Sequence, residues 1–241
     1  MEINKQNIIG DLVAKEYRTA VIFKKHGIDF CCNGNRSIEE ACDKKNIDTD
    51  KIVKELQDTV AQTTQNGVDY NTWALDKLAD YIIEKHHKYV ENKILEIQPF
   101  LNKIVKVHGD RHPELAEVEY LFNASAGELT MHMKKEELIL FPFIRKMVKV
   151  QLNNEAYQAP PFGSVENPIA MMHHEHDTEG ERFRKIEELT NNYTPPLDAC
   201  NTYKVTFAML QEFENDLHLH IHLENNILFP KAIKLEQQLN S

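Results

Sequence analysis

The chain has 241 residues, of which 41% are hydrophobic and 27% charged, and its net charge is −10. This balance excludes a disordered chain, which would carry fewer apolar residues. The acidic charge argues against a nucleic-acid partner, because phosphate binding needs clustered Lys and Arg. With only 8 Gly and 9 Pro, the composition favours an all-α fold over a turn-rich β-architecture.

Targeting signals and cysteine usage indicate where the protein works. No apolar run approaches the roughly 18 residues of a membrane helix, and the N-terminus lacks the basic start and apolar core of a signal peptide. Cysteines stand at only four positions, 31, 32, 42 and 200, which is too few for a secreted disulfide scaffold. We therefore expect a reducing, cytoplasmic location and no membrane partner.

The first quarter of the chain reads as a small helical domain, residues 1–65. Ser37 and Glu40 have the spacing of a helix capping box. The polar stretch Gln62–Gly67 shows no period and predicts a linker. A second domain, residues 72–241, follows it.

Long helical patterns fill this second domain, beginning at Leu75. Breaks at about 109–113, 153–168 and 191–196 divide it into four helices, which predicts a four-helix bundle. Pro99 lies inside the first long pattern and is expected to kink or divide that helix.

The second domain repeats itself. His132–Pro142 (HMKKEELILFP) matches His220–Pro230 (HIHLENNILFP) at six of eleven positions. His87 precedes the first copy by 45 residues and His176 precedes the second by 44. Each half therefore reads His, about 45 residues, then His-x3-Glu-x3-Leu-Phe-Pro. We attribute the Leu-Phe-Pro tails to core packing and a shared helix distortion.

Helix geometry turns the repeat into a predicted site. Residues four apart lie on one helix face, so His132 and Glu136 point the same way. Roughly 45 residues along an antiparallel helical hairpin bring the chain back to about its starting height. Two such hairpins would place four imidazoles and two carboxylates in one layer of the core. The predicted metal ligands are His87, His132, Glu136, His176, His220 and Glu224.

Four His and two Glu suit a pair of metal ions that both carboxylates can bridge. Imidazole mixed with carboxylate suits iron, manganese or zinc, whereas structural zinc commonly uses four ligands that include Cys. We expect two non-haem iron ions with a bridging oxygen.

These histidines also allow other interpretations: surface or core residues without a metal, or a ferritin-like site. A lone His on a helix is usually a surface or core residue, but the duplicated register of four His and two Glu favours metal binding. The flanking histidines are expected to be surface residues or residues that orient the ligands. A ferritin-like site needs Glu-x-x-His on two helices. Here only Glu84 and His87 have that spacing.

The motifs HMKKEELILFP and HLENNILFP, with EHD at 175–177 and NNYTPP at 191–196, resemble the di-iron iron–sulfur cluster repair proteins (the RIC family). The segment Asp29–Gly34 resembles that family's vicinal-cysteine signature. The resemblance extends from about residue 8 to 232. It implies a hemerythrin-like four-helix bundle, a di-iron centre on the six ligands named above, a cytoplasmic stress-response role and frequent homodimers. Oxygen-carrying hemerythrins are more distant, because Met172 and Gly180 stand where their extra His would be.

Two readings of Cys31 and Cys32 remain open. Either residue can pack in a small core, as free Cys commonly does. Alternatively, the Asn-Gly turn that follows exposes the pair, and a thiolate takes part in iron transfer or electron supply. Cys42 and Cys200 are read as structural.

The leading functional hypothesis is repair of iron–sulfur clusters damaged by nitrosative or oxidative stress, by supplying iron or handling nitric oxide. The expected partners are damaged iron–sulfur proteins, with nitric oxide or oxygen as small ligands. One alternative is a nitric oxide reductase at the two irons, and another is a module that binds nitric oxide or oxygen. The sequence therefore leaves open whether the protein is an enzyme.

Overall fold

The computed structural model describes residues 2–61 and 68–240. The predicted linker Gln62–Gly67 lies outside these residues. Within the described ranges the regular structure is helical, and β-pairing is confined to one isolated bridge between Ile8 and Ser37. The all-α prediction is confirmed. None of the helices in these ranges is both long and apolar enough to span a membrane.

The chain divides into two compact units: residues 1–78 together with 221–241, and residues 79–220. The first unit begins with four short helices, α1 (Ile9–Lys15), α2 (Thr19–Lys25), α3 (Ile38–Lys45) and α4 (Thr49–Ala61). The predicted domain ranges, 1–65 and 72–241, stay a prediction.

The predicted capping box begins α3. The Ser37 side chain accepts a hydrogen bond from the backbone N–H of Glu40 at 3.1 Å. The Glu40 carboxylate accepts one from the backbone N–H of Ser37 at 2.8 Å. Two N–H groups that the helix leaves without partners are thus bonded, and the prediction is confirmed.

Further helices follow the first four. They are α5 (Leu75–Tyr81), α6 (Lys88–His108), α7 (Glu114–Lys135), α8 (Phe141–Asn153), α9 (Glu166–Leu189), α10 (Asn201–Leu223) and α11 (Phe229–Leu239). The breaks between α6 and α7, α8 and α9, and α9 and α10 fall where they were predicted. The boundary between the two units passes through α5 and α10.

The second unit is a helical bundle. Helix α6 packs on α7, and α7 packs on α9. Phe122 of α7 and Phe183 of α9 both meet Phe213 of α10, with ring centroids 5.4 and 5.6 Å apart. All three rings are buried, so aromatic packing joins three of the long helices.

Pro99 does not divide its helix, because α6 runs through it from Lys88 to His108. Proline lacks the N–H that would bond the carbonyl of Leu95, one turn earlier. Leu95 and Pro99 are both exposed, so water can serve that carbonyl.

Three π-helical segments interrupt the long helices: Ile82–His87, Glu136–Leu140 and Glu224–Leu228. The last two coincide with the repeated motif, and Pro142 and Pro230 stand in the first turns of α8 and α11 directly after them. The predicted shared distortion is thus a π-turn, a feature that is frequent at functional sites.

Candidate metal centre

The predicted ligands lie at distinctive points of the long helices. His87 ends the first π-segment, and Glu136 and Glu224 begin the other two. The remaining ligands lie within regular helix, and every one of the six side chains is at most 3% exposed. These residues are His87, His132, Glu136, His176, His220 and Glu224.

Five of these residues belong to the second unit, and Glu136 is central among them. Its Oε2 lies 3.4 Å from Nε2 of His87 and 3.3 Å from Nε2 of His132. Ligand atoms of His87, Glu136 and His220 lie within 4.8 Å of one another, and so do those of His132, Glu136 and His176. The Glu136 carboxylate therefore lies close to both pairs of imidazoles.

The imidazoles of each pair are close neighbours. The His132 and His176 ring centroids are 4.7 Å apart, and their Nε2 atoms are 3.1 Å apart. The His87 and His220 rings lie 5.0 Å apart. Each of these pairs joins one imidazole from the first half of the repeat to one from the second.

Glu224 is the remaining predicted ligand. It follows His220 by four residues along a helix that continues from α10 into the third π-segment. Its side chain is fully buried. Residues at this spacing share a helix face, so Glu224 stands to His220 as Glu136 stands to His132.

Two further carboxylates fix the orientation of the imidazoles. Nδ1 of His87 lies 2.9 Å from Oε1 of Glu137, and Nδ1 of His132 lies 2.8 Å from Oε2 of Glu175. The hydrogen bond from His132, with one from Lys135, lowers the pKa of Glu175 to about 2. Burial acts to raise the pKa of Glu137, but hydrogen bonds from Lys134 and His87 lower it overall.

These contacts determine which ring nitrogens carry hydrogen. An ionised carboxylate only accepts, so Nδ1 of His87 and of His132 must donate. In a neutral imidazole this leaves Nε2 as an acceptor. Each Nε2 faces Glu136, and that of His132 also faces His176, so electron pairs converge on one buried space. A cation is the natural occupant of such a space, because buried groups of like polarity repel one another. The donor set therefore fits a metal, and carboxylate–histidine–metal chains are typical of metal sites.

A cavity of about 270 Å³ opens beside one pair of imidazoles. Its lining includes His132, His176, Lys135, Glu175 and Glu179. Glu179 is buried, accepts a hydrogen bond from Ser125 at 2.5 Å and pairs with Arg182. A small molecule can occupy this space next to the His132 and His176 side chains.

Comparison with known proteins finds a cation binding domain in the part of the chain that contains these residues. Residues 78–232 match the model of the hemerythrin HHE cation binding domain, and residues 5–60 match a domain of unknown function (DUF542). The iron-sulfur cluster repair protein YtfE of Yersinia pseudotuberculosis serotype O:1b (strain IP 31758) is 34% identical over 237 residues, covering 98% of this chain and 100% of the relative. YtfE of Enterobacter sp. (strain 638) is 35% identical over 225 residues, covering 93% and 96%. The YtfE of Yersinia pestis (strain Pestoides F) is 34% identical over 237 residues, covering 98% and 100%. The chain belongs to the iron–sulfur cluster repair family.

The vicinal cysteines of this family member lie in a loop of the first unit. Cys31 is buried and Cys32 half-buried, so the expected exposure of the pair is not found for Cys31. The loop docks on the third π-segment, because the side-chain amides of Asn225 and Asn226 donate to the carbonyl oxygen of Cys31 at 3.3 and 3.2 Å. Of the other two cysteines, Cys42 is buried and Cys200 exposed.

Two carboxylates that contact predicted ligands, Glu137 and Glu175, were not predicted from the sequence. Glu137 and Glu175 are direct chain neighbours of predicted ligands, and this adjacency was the available signal. His86 is buried, stacks on His220 with centroids 5.6 Å apart, and pairs with Asp216 at 3.1 Å. These roles depend on contacts between helices, which adjacency alone does not reveal.

Proposed function

We propose that this chain repairs damaged iron–sulfur clusters through a buried di-iron centre. The observation that carries the proposal is the shared position of Glu136 between His87 and His132. The relatives named above are called iron–sulfur cluster repair proteins, and they match this chain over nearly its full length.

The proposed ligands of one ion are His87 and His220, and those of the other are His132 and His176. Glu136 would bridge the two ions, because one of its oxygens faces both sets. Glu224 would be the second bridge, since it is fully buried one helical turn after His220.

Iron is the proposed metal because imidazole and carboxylate ligands suit it and no thiol belongs to the set. Two bound irons would supply open coordination positions and one-electron redox chemistry. The residues around them do the positioning: Glu137 and Glu175 orient His87 and His132 through Nδ1.

Nitric oxide is the proposed small ligand. The cavity beside His132 and His176 is large enough for a diatomic molecule. Glu179 and Lys135 bring polar groups to its wall. A cytoplasmic location and a homodimer complete the proposal, the first because cysteines that form no disulfide, as at Cys31 and Cys32, suit a reducing compartment.

A repair assay tests the proposal. An iron–sulfur enzyme inactivated by nitric oxide is incubated with the reduced protein, and its recovered activity is measured against time. The wild-type protein should restore activity, and Glu136→Ala should not. The exposed Glu117→Ala should act like the wild type, since this residue lies in the first turn of α7, away from the ligands.

The same assay separates repair from nitric oxide reduction. Recovery of the client enzyme without formation of nitrous oxide supports iron donation. Catalytic nitrous oxide formation without any recovery of the client would contradict the proposal and favour the reductase.

A further inference from the structure

The loop from Asp29 to Asn33 holds two thiols in a defined arrangement. Oδ1 of Asp29 accepts the backbone N–H groups of Cys31 at 3.1 Å and of Cys32 at 3.0 Å. The Asn33 side-chain amide donates to Oδ2 at 2.8 Å. These bonds tie the loop to one carboxylate, and the two sulfurs lie 3.8 Å apart with no disulfide between them.

This separation matches a chelating pair of thiolates. A tetrahedral ion with two metal–sulfur bonds of about 2.3 Å places the sulfurs about 3.8 Å apart. Oδ1 of Asp29 lies 3.4 Å from the Cys31 sulfur, close to the roughly 3.5 Å expected for sulfur and oxygen ligands of one such ion. Ligand atoms of all three residues fall within 4.8 Å of one another.

We propose that Asp29, Cys31 and Cys32 form a second metal site, which binds one thiophilic divalent cation such as Zn²⁺ or Fe²⁺. The cation forms two metal–sulfur bonds and releases two thiol protons to solvent, with no change in oxidation state. Three protein ligands leave one tetrahedral position for water or an incoming ligand. This site does not depend on the proposed repair function.

A bound cation would also supply charge to this loop. The hydrogen bond with Cys32, together with burial, raises the pKa of the Cys31 thiol well above its ordinary value. A divalent ion supplies the positive charge that two adjacent thiolates need.

Side chains of the third π-segment also hold this loop in place. Asn226 donates to the carbonyl oxygens of Phe30 and Cys31 at 3.3 and 3.2 Å, and Asn225 also binds the latter. Asn226 is itself closely packed, because a Cβ added to Gly10 of α1 would clash with its Oδ1. Such support from neighbouring residues keeps ligand atoms in place before the ion arrives.

Cobalt titration tests the site in the full-length, reduced, iron-loaded protein under anaerobic conditions. Co²⁺ bound to thiolate gives a sulfur-to-metal charge-transfer band, which the His and Glu ligands of the other centre cannot produce. We expect this band in the difference spectrum, saturating near one Co²⁺ per chain and disappearing when Zn²⁺ is added. Cys31→Ser and Cys32→Ser should each abolish the band. Asp29→Asn should weaken Co²⁺ binding about tenfold or more while its side-chain oxygen still accepts the backbone N–H groups.

Cys42→Ser and Cys200→Ser are matched controls, and both should keep the band. Absence of the band in the wild type, or its survival in Cys32→Ser, would overturn the proposal. Cys32 is half-buried, so we expect Cys32→Ser to fold. It therefore tests the site even where circular dichroism shows that Cys31→Ser does not fold. Iron content is measured on the same samples, so a failure of the di-iron centre is distinguished from a failure of the thiolate site.

Discussion

The side-chain amide of Asn226 donates to the carbonyl oxygen of Cys31, with 3.2 Å between nitrogen and oxygen. Asn226 belongs to the second copy of the repeat and follows Glu224 by two residues. The same stretch of helix thus contains a proposed metal ligand and a residue that holds the cysteine loop. A rearrangement of this π-segment would therefore move both Glu224 and Asn226.

The two copies of the repeat share His and Glu but differ at the position after Glu. The first copy has Glu137, which binds Nδ1 of His87. The second has Asn225, which binds the cysteine loop. The two copies thus share the proposed ligands, while the next residue makes a different contact in each half.

Replacing Glu136 by Ala should remove metal from both positions, because one oxygen of this residue faces both His87 and His132. Replacing His176 by Ala should chiefly weaken one position. Metal content per chain, measured after gel filtration by mass spectrometry, checks both variants. Two irons with wild-type spectra in Glu136→Ala would show that this carboxylate does not bridge.

Removing the orienting carboxylates should weaken metal binding without removing any ligand. Glu137→Ala and Glu175→Ala each take away the acceptor of an Nδ1 hydrogen bond, which typically costs about 10- to 100-fold in metal affinity. Competition with a chelator measures the change. Glu117→Ala is the control, and an effect of equal size there would reduce the result to a general loss of negative charge.

Two glycine substitutions should have opposite effects on stability. Gly10→Ala places a Cβ against Asn226, and such overpacking costs about 1–3 kcal/mol. Gly127→Ala lies inside α7 with nothing within 4 Å of the added atom, and should stabilise by about 0.4–1 kcal/mol. Urea unfolding of both variants checks the sign. A Gly10→Ala protein as stable as the wild type would mean that Gly10 of α1 is not packed closely on Asn226.

Local signals in the sequence predicted the helix breaks and the grouping of the candidate ligands. The Ser37 capping box and the helix breaks depend on residues near one another in the chain, and the structure reproduces them. The register of His132 and Glu136 follows from the helical period alone. The repeat then supplied the second half by symmetry.

Contacts between distant residues were beyond such reasoning. His132 meets Glu175 across 43 residues, and Asn226 meets Cys31 across 195. No periodicity encodes which neighbouring carboxylate reaches an imidazole. Pro99 was expected to kink or divide its helix. It does not divide α6, because a solvent-facing carbonyl tolerates the lost hydrogen bond, and the kink stays a prediction.

Metal analysis combined with Mössbauer spectroscopy of anaerobically purified protein decides whether the chain holds a di-iron centre. Four buried His and two buried Glu should hold two high-spin irons per chain in similar nitrogen and oxygen environments. We expect about two irons per chain, with magnetic coupling between them when they are oxidised. Stoichiometric zinc without iron, or a single uncoupled iron, would contradict this expectation.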